Sequence, residues 1–356
     1  MKIVELGHSG VGKTTYMASM YAALQRKIEG FSLRAIDTDE HTRLCALAEN
    51  IKIGVYPPRT SQRSDYNFYL QYQGKNVLSF FWADYRGKAI GEKTKDSYEF
   101  RALQQDISQA DGIIIFFDCN TLAEGDTRTN ELRRITALIS HTLTGLDHPI
   151  SLAIVFTKID LVKKFNVELL EPIKELIEVI EKSDLVSGAL IPIACGQKNI
   201  NVQMPLLYAL QAGIHFKINS LKKQMEHHKE QIRHHEYIAN KHGSKASEYQ
   251  DKSNGIGGQV RDWWRKNIQE LPTYVDLTNQ EQNLAKKAWE EAKCEKEKTE
   301  EKLKEYEPLI QPAYALNSYL KKLPHIEQGK NLKQYLKQMS RFKPGFFRKL
   351  FAWFLP

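Results

Sequence analysis

The sequence predicts an α/β domain on a mostly parallel sheet, followed by an α-helical hairpin with a coiled-coil seam. Three observations carry this. Apolar, strand-length runs alternate with helical stretches up to about residue 212, the rhythm of a sheet with crossover helices. A glycine-rich loop, Gly7 to Thr14, directly follows the first run. From Ile214 the apolar or aromatic-like positions fall in alternating steps of four and three, through Ile218, Leu221, Met225, His228, Ile232, His235 and Ala239, which is a heptad seam.

The elements follow in order. Strand Lys2 to Leu6 leads into the loop and a helix from Lys13 to about Arg26. A second apolar segment, Phe31 to Ile36, precedes a helix from Asp39 to about Asn50 and a loop with Pro57 and Pro58. Tyr66 to Tyr72 and Val77 to Ala83 alternate on either side of Gln73 and Gly74 and read as an antiparallel hairpin. Ile113 to Phe117, Leu152 to Phe156 and Leu190 to Ala194 are continuous apolar runs, hence buried central strands. Helices are expected near 98–109, 128–144, 166–182 and 203–218. A second polar helix, from about Asn279 to Tyr306 with Leu284, Ala288, Leu303 and Tyr306 on its apolar stripe, folds back on the first. Each arm is about 45 Å long at 1.5 Å per residue. The expected division is 1–212 for the α/β domain and 213–310 for the hairpin, whose connector is 251–278, with a basic aromatic tail at 311–356.

Composition narrows the function. At 356 residues, 26% charged and 42% hydrophobic, the chain has material for an α/β core plus a second module. Cys45, Cys119, Cys195 and Cys294 are far apart with no CxxC pair, so neither a zinc site nor a disulfide framework is indicated. The first strand leaves no room for a cleavable leader, and a cytoplasmic protein is expected. Of the formal charge of +8, the tail from Lys330 carries seven basic residues and no acid. Basicity therefore belongs to the tail, and no nucleic-acid binding is expected of the α/β domain.

Gly7, His8, Ser9, Gly10, Val11, Gly12, Lys13 and Thr14 spell GxxxxGKT. In such a loop, backbone N–H groups at Gly7, Ser9, Gly10, Val11, Gly12 and Thr15 curl round a phosphate. Lys13 reaches the β and γ oxygens, and the Thr14 hydroxyl is placed to ligate Mg²⁺. The following helix presents its positive end to the anion. Asp84, Tyr85, Arg86 and Gly87 form DxxG at the end of a buried strand, where Asp84 can hold the Mg²⁺ shell and the Gly87 N–H can meet a γ-phosphate. Thr157, Lys158, Ile159 and Asp160 form TKxD after the strand ending at Phe156. Asp160 matches the N1 and exocyclic amino protons of guanine, the Lys158 stem can pack on the purine, and adenine offers no such donor pair. Ala194, Cys195 and Gly196 end the next strand, where a backbone N–H can meet guanine O6.

With these motifs in this order the chain resembles the Ras-like GTPases of the translation-factor-related class over residues 2 to about 212. The resemblance implies a six-stranded sheet with helices on both faces, Mg²⁺-dependent GTP binding, and GTP hydrolysis. It also implies a switch threonine that meets Mg²⁺ and the γ-phosphate. Thr60, after Tyr56, Pro57, Pro58 and Arg59, is the choice because it precedes the hairpin, with Thr42 and Thr38 as alternatives. The catalytic set is then Lys13, Thr60, Asp84 and Gly87, and the metal set Thr14, Thr60 and Asp84. Three departures stand out: TKID for the commoner NKxD, a longer stretch between the P-loop and DxxG, and Lys88 where relatives carry a water-orienting glutamine.

Other features have a functional and a bland reading. Arg59 and Arg86 are either cis arginine fingers or solvated side chains. Asp37, Asp39 and Glu40 suit the dipole of a helix start better than a metal. His227, His228, His234 and His235 repeat at seven residues, about 10 Å apart on a helix, too far for one ion; half-buried seam residues explain them. Lys330, Lys333, Lys337 and Arg341 share one helical face, with Leu332, Tyr335, Leu336, Met339 and Phe342 opposite and an aromatic stretch from Phe346 to Leu355 beyond. This reads as an interfacial anchor for an anionic membrane, or else as a segment packing on the protein or on a partner. Trp263 and Trp264 are either a second membrane contact or a cap on the hairpin core.

The resulting expectation is a GTP-hydrolysing, membrane-peripheral molecular switch with an unidentified effector or activating protein. Alternatives are a dynamin-like protein self-assembling on membranes, a GTP-holding scaffold with little turnover, and an ATP-using P-loop enzyme.

Overall fold

In the computed structural model, the structure describes residues 1–58, 64–85, 98–124, 136–140, 142–143, 145–162, 167–197 and 199–342. The chain divides into two compact units: Met1–Phe216 together with the chain from Leu309 onward, and Lys217–Pro308.

The first unit is built on β1 (Lys2–Gly7), β2 (Phe31–Ala35), β3 (Ser64–Tyr72), β4 (Lys75–Asp84), β5 (Gly112–Asp118), β6 (Ile150–Thr157) and β7 (Val186–Pro192). They form one sheet in the order β2-β3-β4-β1-β5-β6-β7. Pairing is parallel from β4 through β1, β5, β6 and β7, and antiparallel among β2, β3 and β4. The sheet thus has seven strands where the resemblance implies six, because Phe31–Ala35 pairs along β3 as an added edge. β5 and β6 are buried at every position, as continuous apolar runs in a covered parallel sheet must be.

Helices α1 (Lys13–Leu24), α2 (Thr38–Lys52), α3 (Tyr98–Ser108), α4 (Cys119–Glu124) and α5 (Lys174–Glu181) belong to this unit. Asp37 caps α2 by accepting from the Asp39 N–H at 2.8 Å, which gives the acidic run the helix-start role expected of it. The single helix expected at 166–182 is instead two 3₁₀ turns, Val167–Leu169 and Glu171–Ile173, followed by α5. Pro172 lacks the N–H that an unbroken α-helix needs there.

Two long helices follow: α6 (Met204–Ser253), which joins the helix expected at 203–218 to the first arm of the hairpin, and α8 (Tyr274–Leu320), which is longer at both ends than the expected 279–306. Between them lies α7 (Gly255–Asn267), so the expected glycine hinge is largely helical. In the helical unit α6 and α8 run antiparallel, with His228 Nδ1 2.6 Å from Glu295, His235 Nδ1 3.1 Å from Glu291, and His242 paired with Glu281. Leu221, Met225, Ala239, Ala288 and Ala292 are buried there, while Leu284 and Leu303, expected on the seam, are 39% and 41% exposed. The described residues contain no cluster of His, Cys, Asp or Glu able to hold a metal ion.

The chain then returns to the first unit. Pro324 O accepts from the Leu190 N–H at 3.0 Å, and the Ile326 N–H donates to Gly188 O at 2.8 Å, so this segment covers the open edge of β7. α9 (Leu332–Ser340) buries Tyr335, Leu336 and Met339 in the core of the α/β unit. The Tyr335 hydroxyl donates to Glu181 at 3.1 Å and accepts from the Glu327 N–H at 3.0 Å. This corrects the lipid-facing reading of Leu332 to Met339: the amphipathic face is real, but the protein occupies it. Residues 343–356, the remainder of the expected anchor, lie outside the described residues. Among the described residues no helix is long and apolar enough to cross a membrane.

Candidate functional site

The site lies beyond the carboxyl ends of the parallel strands, where open α/β sheets gather their loops. β1 ends at Gly7 and α1 begins at Lys13. Between them Gly10 and Gly12 take φ of 82° and 103°, a left-handed backbone that side chains with a Cβ resist. The loop curls so that Lys13, 8% exposed, donates to Gly7 O at 3.1 Å.

Asp84, at the end of β4, lies 3.8 Å from the Lys13 ammonium. Burial lifts its carboxyl to about 6; the Lys13 charge opposes this and Asp65 adds to it. Asp84 Oδ1 is buried and makes no hydrogen bond. Beneath it Glu5, fully buried on β1, accepts from Trp82 Nε1 at 2.8 Å. Burial first, then the Asp84 charge, raises the Glu5 carboxyl well above the usual carboxylate range. A buried acid with an unsatisfied oxygen, beside a buried lysine and under a loop of backbone N–H groups, fits a divalent cation with its phosphates.

Further lining comes from the ends of β6 and β7. Thr157 Oγ1 donates to Val11 O at 2.9 Å, with Phe117 O at 3.3 Å, tying the end of β6 to the loop and to β5. Lys158 takes φ of 57°; its ammonium donates to Gly10 O at 3.2 Å and pairs with Asp118. Asp160 is exposed toward the cavity. Burial pushes the Cys195 thiol up to about 12, so it stays neutral.

The loop after β1 and the segments that follow β6 and β7 line a cavity of about 540 Å³, within the range of small-molecule sites; Asp84 is not among its lining residues and reaches it only through its pair with Lys13. Of the expected residues, Ser9, Gly10, Val11, Gly12, Lys13, Thr14, Thr15, Thr157, Lys158, Asp160 and Cys195 line it. Gly7 instead supplies the carbonyl that receives Lys13. The Ala194 N–H donates to Ile200 O at 3.2 Å. Thr42 and Thr38 both lie in α2, where the Thr42 hydroxyl donates to Thr38 O at 3.0 Å. Thr60, Gly87, Arg59, Arg86 and Lys88 lie outside the described residues.

Sequence reasoning missed part of this site. Tyr56, Pro57 and Pro58 line the cavity, though an aromatic before two prolines hints at a fixed wall. Asp118 was also missed; an acid closing a wholly apolar strand is the signal. Glu5 was hidden for the opposite reason, as one acid inside the strand Ile3 to Leu6.

Residues 4–163 match the family model described as Double-GTPase 1. That likeness covers the loop after β1, β4 and the TKxD segment. A search of curated proteins finds no match. Among solved structures, the chain is similar to a bacterial selenocysteine-specific elongation factor, with a TM-score of 0.31 and 18% identity over 60% of this chain. The similarity spans 28% of that factor's length.

Proposed function

We propose that this chain binds GTP with Mg²⁺ in the 540 Å³ cavity and hydrolyses it to GDP and phosphate, its switch segments following the γ-phosphate. The observation that carries the reading is that residues of both motifs line one cavity. The loop's Gly10, Gly12, Lys13 and Thr14 line it together with Thr157, Lys158, Asp160 and Cys195. A nucleoside triphosphate has this bipartite chemistry, and the match to a GTPase family model supports the same reading.

Thr14 and Asp84 would hold the Mg²⁺, with Thr60 as the third candidate. Bound there, the cation neutralises charge on the β and γ oxygens. Lys13 supplies a buried positive charge to those oxygens, and the loop N–H groups add fixed dipoles where charge develops as water attacks the γ-phosphorus. Asp160 accepts from guanine N1 and its amino group, while Lys158, held by Gly10 O and Asp118, supports the purine face. A switch role, with residues 343–356 as a peripheral membrane anchor, completes the reading.

Asp160→Asn tests it. The amide presents a donor where xanthine carries a carbonyl in place of guanine's amino group. The variant should bind GTP at least about tenfold more weakly and gain affinity for xanthosine triphosphate. Unchanged preference for GTP would remove Asp160 as the base reader.

A further inference from the structure

Helix α7 is built inside out. Counting about 100° per residue, Ile256, Val260, Trp263 and Trp264 fall within one arc of about 100°. Each is at least half exposed: 83%, 60%, 59% and 50%. Ile268, Leu271 and Val275 extend the apolar surface past the end of the helix, at 56%, 44% and 50%.

The opposite arc, normally the solvated one, is fastened to the hairpin. Arg261 donates to Lys252 O at 2.8 Å, and Asp262 accepts from the Tyr274 N–H at 2.7 Å. Arg265 donates to Pro272 O at 2.9 Å and lies 4.5 Å from the Tyr274 ring centroid. Gly258 is buried on this side, and a Cβ there would come within 2.1 Å of Ser253 O. Polar groups therefore hold the helix down and aim the apolar arc outward. The two tryptophans do not cap the hairpin core.

We infer that α7 is a lipid-surface element that seats Ile256, Val260, Trp263 and Trp264 in the interfacial layer of a bilayer. The surface is the convex side of a single 13-residue helix, which suits a deformable fluid layer. Tryptophan beside aliphatic side chains, with Lys266 in the last turn, is the composition that layer favours. The helix is too short to span. The chain carries a second segment of like character, with Phe346, Phe347, Phe351, Trp353 and Phe354 among Lys343, Arg348 and Lys349, and stable peripheral attachment takes two signals. This inference is independent of the nucleotide reading, and its test uses no nucleotide.

The test is co-sedimentation of the full chain with vesicles of phosphatidylcholine, with and without phosphatidylglycerol. The unaltered protein should partition onto vesicles. Replacing Ile256 and Val260 with Ser, or Trp263 and Trp264 with Ser, should each cut partitioning about tenfold or more, with circular dichroism unchanged because these side chains are exposed. Brominated lipid should quench the tryptophan emission of the unaltered protein, and less so after Trp263→Phe with Trp264→Phe. Absence of vesicle binding, or binding unaffected by both Ser pairs, would overturn the inference. So would concentration-dependent dimerisation that both pairs abolish while vesicle binding persists.

Discussion

In the α/β unit the sheet is packed with Phe116, Phe117, Phe156 and Trp82, all fully buried. In the helical unit α6 and α8 bury Leu221, Met225, Ala239, Ala288 and Ala292 beside the His–Glu pairs at 228/295, 235/291 and 242/281. Large apolar side chains exclude water from a deep core and fix the loops at its edge. Alanines and partly exposed ion pairs bury less apolar area per residue than large aromatic side chains do. The first unit is therefore suited to hold the loops of a site in place. The same contrast separates two short helices: α9 turns its apolar arc into the core, whereas α7 turns its own arc to solvent.

The comparison can be broken most easily at its largest expected effect. Tyr335→Ala removes a buried ring and two hydrogen bonds from the α/β unit, and should cost about 3–5 kcal/mol in a denaturant titration. A loss near that of a surface substitution would mean that α9 does not belong to the core. In the helical unit, Ala292→Gly should cost only about 1 kcal/mol. Hydrogen exchange should show faster opening of α8 with the sheet strands unchanged; equal loosening of the sheet would mean the two units unfold as one.

A smaller effect separates the units by pH. Burial disfavours the charged form of His148, but its contacts with Asp147 and Ala110 O outweigh this and raise its pKa. A raised histidine gives stability that is fully present below its unfolded value of about 6.5 and lost as pH rises through the folded value. His148→Asn should therefore lower the melting temperature at about pH 5.5 and leave it nearly unchanged at about pH 8.5. The reverse dependence would contradict the pairing.

How much of this could be read beforehand follows from how local each signal is. The loop from Gly7 to Thr14 is contiguous and chemically demanding, so its residues gather as expected. β5 and β6 show because a strand covered on both faces needs unbroken apolar sequence. The seam on α8 showed only in part: Ala288, expected on it, is buried, but Ala292 and Glu295 share in it and the leucines at 284 and 303 do not. α9 displayed its amphipathic face plainly, but periodicity gives the direction of a face and not what covers it.

The most direct test of the nucleotide account is a calorimetric titration of the full chain with GTP and with ATP in the presence of Mg²⁺. The account predicts one GTP site per chain, with ATP at least about a hundredfold weaker because adenine leaves the Asp160 carboxylate without its donor pair. Equal affinity for the two nucleotides, or a preference for ATP, would contradict it.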